Sequence, residues 1–151
     1  MPKWRVLVVD DEVGMLEVCA DTLSQLPNVE IVVEQESPRA ARRLETDDFD
    51  LLITDVRMPD VDGVELLRVA RRYQANIPVL VLTAFPTVDS AVETLKLGAA
   101  DYVVKPCAPR STFWADMSVA HTYSIKSSGK ADRCSEFSRS FNAWRQRTRT
   151  C

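Results

Sequence analysis

Short apolar runs alternate with amphipathic segments through residue 107, and this alternation restricts the fold more than any other feature of the chain. The runs are rich in Val, Leu and Ile and do not alternate regularly between apolar and polar residues, which is typical of parallel strands covered on both faces. The segments between them have helical spacing, so the pattern predicts a doubly wound, five-stranded parallel α/β sheet with helices on both faces. The predicted strands are 5–9, 29–34, 51–54, 79–82 and 102–104.

Four helices are predicted between these strands from apolar residues at helical spacing. Pro27 marks the end of the first, Ser37 and Pro38 read as an N-cap and first-turn proline of the second, and Gly98 reads as the C-cap of the fourth. The predicted helices are 12–26, 37–46, 63–74 and 88–97, and the side chains expected to be buried are Met15, Leu16, Cys19, Leu23, Leu26, Val64, Leu67, Ala70, Val88, Ala91, Val92 and Leu95.

Acidic residues follow two of the predicted strands. Asp10, Asp11 and Glu12 come directly after the first strand, and Asp55 follows the third, ahead of a turn that ends at Gly63. Because the C-terminal ends of parallel strands share one edge of the sheet, where ligands bind, we expect these carboxylates to converge. Converging acids repel one another unless a hard divalent cation binds them. The sequence therefore predicts a Mg2+ site with a reactive Asp55 beside it.

Each of these features has an ordinary explanation when taken alone. The acids at 10–12 suit the first turn of a helix, Asp55 suits a turn before Pro59, Thr83 suits a strand end, and Lys105 suits a solvated surface. The separate explanations do not predict that such residues end the first, third, fourth and fifth strands together. Their conjunction is the stronger signal.

Four segments, taken together, resemble the receiver domain of two-component response regulators. Their residues are most similar to those of the nitrogen-regulatory transcriptional branch. The resemblance covers residues 4–107 and implies the flavodoxin-like strand order 2-1-3-4-5. The segments that carry it are Val8-Val9-Asp10-Asp11-Glu12, Thr54-Asp55-Val56-Arg57-Met58-Pro59-Asp60-Val61-Asp62-Gly63, Leu82-Thr83-Ala84 and Gly98-Ala99-Ala100-Asp101-Tyr102-Val103-Val104-Lys105-Pro106.

The resemblance implies a role for each site residue. Asp55 would be the phospho-acceptor, a carboxylate that takes a phosphoryl group from a phosphohistidine on a sensor histidine kinase. Asp11, Asp55 and the backbone carbonyl of Arg57 would bind Mg2+ directly, and Asp10 would bind it through water. Lys105 would pair with a phosphoryl oxygen. Such a domain is not an enzyme with a separate substrate, since it catalyses only its own phosphorylation and dephosphorylation.

The resemblance also implies a conformational switch. Thr83 would donate its hydroxyl to the phosphoryl group and Tyr102 would follow by changing rotamer, with the helix at 88–97 as part of the output face. The bond between Lys105 and Pro106 would be cis. The implied partners are the kinase and a downstream effector domain or protein, with a homodimer also open. Neither direct nucleic-acid binding by the receiver nor a membrane partner is implied.

The chain changes character after Cys107. Residues 1–107 carry 11 Lys and Arg against 19 Asp and Glu, whereas residues 108–151 carry 8 against 3 and contain no leucine. We interpret residues 1–123 as the domain, with an atypical fifth helix at about 111–123, and residues 124–151 as an atypical basic tail, disordered or encoded in a shifted reading frame. A nucleic-acid-binding tail is the competing interpretation, although no motif supports it.

Cysteine usage and hydropathy indicate the compartment. The four cysteines form no CxxC pair, and the single His makes a zinc site hard to assemble, so reduced thiols in a cytoplasmic protein are expected. No signal-like segment or apolar stretch of about 18 residues occurs, so the chain is expected to be neither exported nor membrane-spanning.

Two alternative functions use similar residues. A Mg2+-dependent phosphohydrolase with an aspartyl nucleophile also needs acids and a lysine at strand ends, but it usually carries an Asp-x-Asp motif at the first strand. Here the nucleophile is on the third strand, and Arg57 stands two residues after Asp55. A receiver-like module that only binds partners is the second alternative, and it is disfavoured because no site position is missing.

Overall fold

A computed structural model describes residues 3–26 and 28–105 of the chain. Five parallel strands form one sheet in the order β2-β1-β3-β4-β5, which confirms the predicted architecture. Each strand matches its predicted span to within one residue at either end. The strands are β1 (Trp4–Val9), β2 (Val29–Glu34), β3 (Leu51–Asp55), β4 (Val79–Thr83) and β5 (Asp101–Val104).

Four helices connect the strands: α1 (Val13–Ser24), α2 (Ser37–Thr46), α3 (Gly63–Tyr73) and α4 (Val88–Lys96). The core has two layers, because alternate strand residues point to opposite faces of the sheet. Side chains of α1 pack with Val8 and Ile53 on one face, and side chains of α2 and α3 pack with Leu52 and Val81 on the other. Among the described helices, none has the length and apolar character needed to cross a bilayer.

The prediction that Ser37 caps α2 is wrong. The N-cap is Glu36, and it makes no side-chain capping hydrogen bond. Ser37 is the first helical residue and its side chain is buried at 2% exposure. Its hydroxyl donates to the carbonyl of Pro59, 2.7 Å away, which lies in the loop after β3. A tertiary partner has therefore replaced the local capping bond.

The prediction that α4 buries its valines and a leucine is also wrong. Val88, Val92 and Leu95 do form one stripe at helical spacing, but they are 79%, 43% and 50% exposed. The fully buried side chain of the helix is Thr94, whose hydroxyl donates to the Ser90 carbonyl. The helix is thus rotated so that its polar Ser90–Thr94 side faces the sheet and its apolar stripe faces outward.

Other predictions about the helices are confirmed. Val64, Leu67 and Ala70 of α3 are buried, as are Leu16, Cys19 and Leu23 of α1. Gly98 follows α4 with a φ of 92°, the left-handed conformation in which glycine ends helices. Pro27, the Lys105–Pro106 bond, the predicted helix at 111–123 and the tail at 124–151 lie outside the described residues.

Candidate functional site

The C-terminal edge of the sheet gathers the charged residues named from the sequence. Asp55 and Thr83 are the last residues of β3 and β4, Asp10 directly follows β1, and Lys105 directly follows β5. The pairing register aligns these ends, because Asp55 lies beside Leu82 in the neighbouring strand. Parallel topology therefore brings residues that are far apart in the sequence to one edge.

Lys105 lies between two carboxylates. Its Nζ is 2.6 Å from Oδ2 of Asp10 and 3.4 Å from Oδ1 of Asp55. The other oxygen of Asp10 accepts a hydrogen bond from the backbone N–H of Glu12 at 2.9 Å, so both oxygens of this carboxylate have a partner. Asp10 is 1% exposed and Asp55 is 7% exposed, whereas the side chain of Asp11 is exposed to solvent.

Asp10, Asp11 and Asp55 could hold a cation together. One carboxylate oxygen from each lies within 4.8 Å of the others. Three carboxylates and the Lys105 ammonium carry a formal charge of −2, which a divalent cation would neutralise. Oxygen ligands of this kind suit Mg2+, which commonly binds through one or two carboxylates and retains water.

Burial and neighbouring charges shift the pKa values of three groups in the cluster. Burial raises the pKa of Asp10, and the hydrogen bonds from Lys105 and Glu12 offset part of the rise. Burial also raises the pKa of Asp55, opposed by the charge of Lys105 and reinforced by that of Asp10. Burial alone would lower the pKa of Lys105, but Asp10 and Asp55 outweigh it, so this pKa is raised and the side chain stays an ammonium. Burial therefore disfavours the charged form of both carboxyl groups even with the ammonium beside them.

The loop between β3 and α3 passes directly beside Asp55. The N–H of Gly63 donates to the Val56 carbonyl at 2.9 Å, which folds the start of α3 back onto the end of β3. Gly63 has no room for a side chain, because a Cβ there would lie 2.0 Å from the backbone oxygen of Asp55. Arg57 follows β3 and Phe85 follows β4, and the guanidinium of Arg57 lies 5.7 Å from the ring centroid of Phe85.

Thr83 and Tyr102 lie on neighbouring strands. Thr83 is 1% exposed, its hydroxyl accepts from the N–H of Phe85 at 3.1 Å, and its carbonyl accepts from the N–H of Lys105 at 2.7 Å. The hydroxyl of Tyr102 is 2.6 Å from Oγ of Ser90 in α4. Tyr102 thus contacts α4, while Thr83 joins the end of β4 to Lys105.

The sequence named the acids and the lysine, and Glu12 of the acidic run 10–12 does lie near them, 3.9 Å from Lys105. Two contacts around the site were missed. Ser37 is bonded to the loop after Asp55, and the Arg57 guanidinium lies over the Phe85 ring. The partners in both contacts are distant in the sequence, and no local pattern indicates them.

The family model described as the response regulator receiver domain matches residues 6–113. The chain is 41% identical over 107 residues to the response regulator protein FleR of Pseudomonas aeruginosa. It is 32% identical over 133 residues to the transcriptional regulatory protein ZraR of Escherichia coli K12. A response regulator receiver domain protein of Clostridium thermocellum superposes with a TM-score of 0.67 at 28% identity, covering 81% of this chain and 94% of that one.

The match to the two regulators is confined to part of their length. The aligned region takes in 71% of this chain but 22% of FleR, and 87% of this chain but 30% of ZraR. The chain therefore spans less than a third of either regulator.

Proposed function

Because the chain belongs to the family of response regulator receiver domains, we propose that it accepts a phosphoryl group on Asp55 from the phosphohistidine of a sensor histidine kinase. The observation that carries the proposal is the position of Asp55, a nearly buried carboxylate at the end of β3 with the Lys105 ammonium 3.4 Å away. In the transfer, a carboxylate oxygen forms a bond to phosphorus as the bond between phosphorus and the histidine nitrogen breaks. The product is an acyl phosphate.

We propose that Mg2+ is required, with Asp11, Asp55 and the backbone carbonyl of Arg57 as direct ligands and Asp10 acting through water. The gathered carboxylate oxygens of Asp10, Asp11 and Asp55, and their formal charge of −2 together with Lys105, support this assignment. When bound, the ion would neutralise charge on the phosphoryl oxygens and orient donor and acceptor. One oxygen of Asp10 is already paired with the Lys105 ammonium, which supports a role for Asp10 through water rather than as a direct ligand.

The Lys105 ammonium is close enough to Asp55 to pair with a phosphoryl group attached there. It bridges Asp10 and Asp55, so a short movement of its Nζ would place the ammonium on a phosphoryl oxygen attached to Asp55. Phosphorylation adds roughly one negative charge and several strong acceptors to this carboxylate. The ammonium and the Thr83 hydroxyl are the donors that we propose for those acceptors.

We propose that Thr83 and Tyr102 convey this change to α4. The Thr83 carbonyl is bonded to Lys105, and the Tyr102 hydroxyl is bonded to Ser90 in the first turn of α4. Tyr102 lies within β5 and Lys105 directly follows that strand, so β5 would connect the end of β4 to α4. The exposed stripe of Val88, Val92 and Leu95 makes α4 a suitable output surface for a downstream effector domain or protein.

The extent of the domain and its catalytic limits are also proposals. We propose that residues 1–123 form the receiver and 124–151 an appended basic tail, and that the domain catalyses only its own phosphorylation and dephosphorylation. The phosphohydrolase alternative is not favoured, because the match to the receiver family extends over residues 6–113. The non-phosphorylated module is not favoured either, because Asp55 and its neighbours are all in place.

Phosphotransfer profiling tests the proposed partner. Sensor kinases pre-labelled on their histidine are mixed with the protein and Mg2+, and label transfer is followed over time against the matched variant Asp55→Asn. We expect one or a few kinases to transfer label rapidly to the wild type and none to transfer it to the variant, because the nucleophile is absent. Equal transfer to both proteins, or none from any kinase in a complete panel, would contradict the proposal.

A further inference from the structure

The hydroxyl of Ser37 binds two successive peptide groups of the loop after β3. It donates to the carbonyl of Pro59 at 2.7 Å and accepts from the N–H of Val61 at 3.2 Å. The two partners lie 22 and 24 residues further along the chain. Ser37 is 2% exposed, and its hydroxyl makes these tertiary hydrogen bonds rather than a capping hydrogen bond within α2.

The two peptide groups flank a backbone conformation that L-residues rarely adopt. Asp60 has a φ of 68°, and the N–H of Val61 also donates to the carbonyl of Pro59 at 2.9 Å. A bond from residue i+2 back to residue i across a central positive φ is a γ-turn of the rare, strained kind. Such strain persists only where surrounding contacts hold it, and it clusters at functional sites. Ser37 supplies such a contact.

The turn lies within the loop that carries the proposed metal ligand. Arg57, whose carbonyl would bind Mg2+, precedes the turn, and Gly63 follows it with its N–H bonded to Val56. The loop is thus held at its far end by Gly63 and in its middle by Ser37. Both contacts restrain the loop to which the Arg57 carbonyl belongs.

We propose that Ser37 is a positioning residue for Mg2+ binding: from the first turn of α2, it holds the Asp60 γ-turn and thereby presents the Arg57 carbonyl to the ion. The inference rests on the proposed metal site and deepens it. Ser37 itself would not contact the ion. Removing groups that orient metal ligands typically weakens metal affinity by about 10- to 100-fold. Because Ser37 acts on the loop rather than directly on the ligand, we expect a smaller effect, about 3- to 10-fold.

The test measures Mg2+ affinity by calorimetry on the full chain for wild type, Ser37→Ala and Ser37→Cys. The cysteine variant keeps the side-chain shape with a weak donor and acceptor in place of the hydroxyl. The matched control is Thr22→Val, which removes a buried hydroxyl bonded to the Val18 carbonyl at 2.7 Å in α1, on the opposite face of the sheet. Asp11→Ala is the positive control. Amide hydrogen exchange of Val61, measured without Mg2+, reports the turn itself.

We expect Ser37→Ala to raise the dissociation constant about 3- to 10-fold and to speed Val61 exchange, with Ser37→Cys changed in the same direction. Thr22→Val should alter neither quantity. An unchanged dissociation constant for both Ser37 variants, while Asp11→Ala weakens binding, would overturn the inference and leave the metal site standing. If Asp11→Ala also left binding unchanged, the proposed metal site would fail, and the inference with it.

Discussion

Replacing Gly63 by alanine is expected to lower the free energy of unfolding by at least about 3 kcal/mol, beyond the usual cost of overpacking, because the added methyl meets backbone rather than a movable side chain. The Cβ would lie 2.0 Å from the backbone oxygen of Asp55 and 3.0 Å from Cα of Val56. The start of α3 must therefore separate from the end of β3. Because the clash falls on Asp55 itself, phosphorylation should be impaired as well.

Gly14→Ala is the matched control for this prediction. Gly14 lies in the first turn of α1, and a Cβ there would meet no atom within 4 Å. Alanine is favoured over glycine inside a helix by about 0.5 to 1 kcal/mol, so this variant should be slightly more stable than wild type. Denaturant unfolding of both variants provides the comparison. Similar stabilities for the two variants would show that the contact between Gly63 and β3 does not constrain the fold.

Lys105→Met is expected to cost about 3 kcal/mol of stability at neutral pH without Mg2+, because it leaves two buried carboxylates without their cation. Asp10 and Asp55 lie 2.6 and 3.4 Å from the Lys105 ammonium, and the lysine side chain is 9% exposed. Methionine keeps the length of the side chain and removes only the charge. Lys96→Met, which changes an exposed lysine of α4, is the control and should be close to neutral.

The loss in Lys105→Met should depend on pH in a defined direction. Burial already raises the pKa of Asp10 and of Asp55, and removing the ammonium raises both further. A carboxyl with a raised folded-state pKa destabilises the fold progressively as the pH rises from its unfolded value through its folded value. The unfolded-state pKa values are the same in both proteins, so the deficit should be full above the variant's folded-state pKa values and disappear as the pH falls below the raised folded-state pKa values of the wild type. Thermal melting from acid to neutral pH measures it, and a deficit constant over this range would contradict the electrostatic explanation.

Much of the site could be predicted because it depends on strand ends. β1 ends in an apolar run that Asp10 follows, and β3 begins with an apolar run and ends at Asp55, so parallel topology alone brings the two acids together. Lys105 follows the last strand for the same reason. No tertiary detail was needed, since every strand ends at the same edge.

The wrong predictions fall where a local pattern fits two tertiary arrangements. Ser37 followed by Pro38 has the signature of a capped helix, but the hydroxyl is bonded to Pro59, a partner that no local pattern indicates. In α4, helical spacing identifies the stripe that includes Val88 and Val92 but not the direction in which the stripe faces. Both outcomes depend on contacts between distant segments.

The central claim is that Asp55 is the nucleophile of a Mg2+-dependent phosphoryl transfer, and intact mass after incubation with acetyl phosphate tests it most directly. This small donor needs no kinase, so the outcome depends on the site alone. We expect wild type with Mg2+ to gain the mass of one phosphoryl group, and neither the chelated wild type nor Asp55→Asn with Mg2+ to gain it. Equal labelling of Asp55→Asn, or undiminished labelling of wild type with the metal chelated, would contradict the claim.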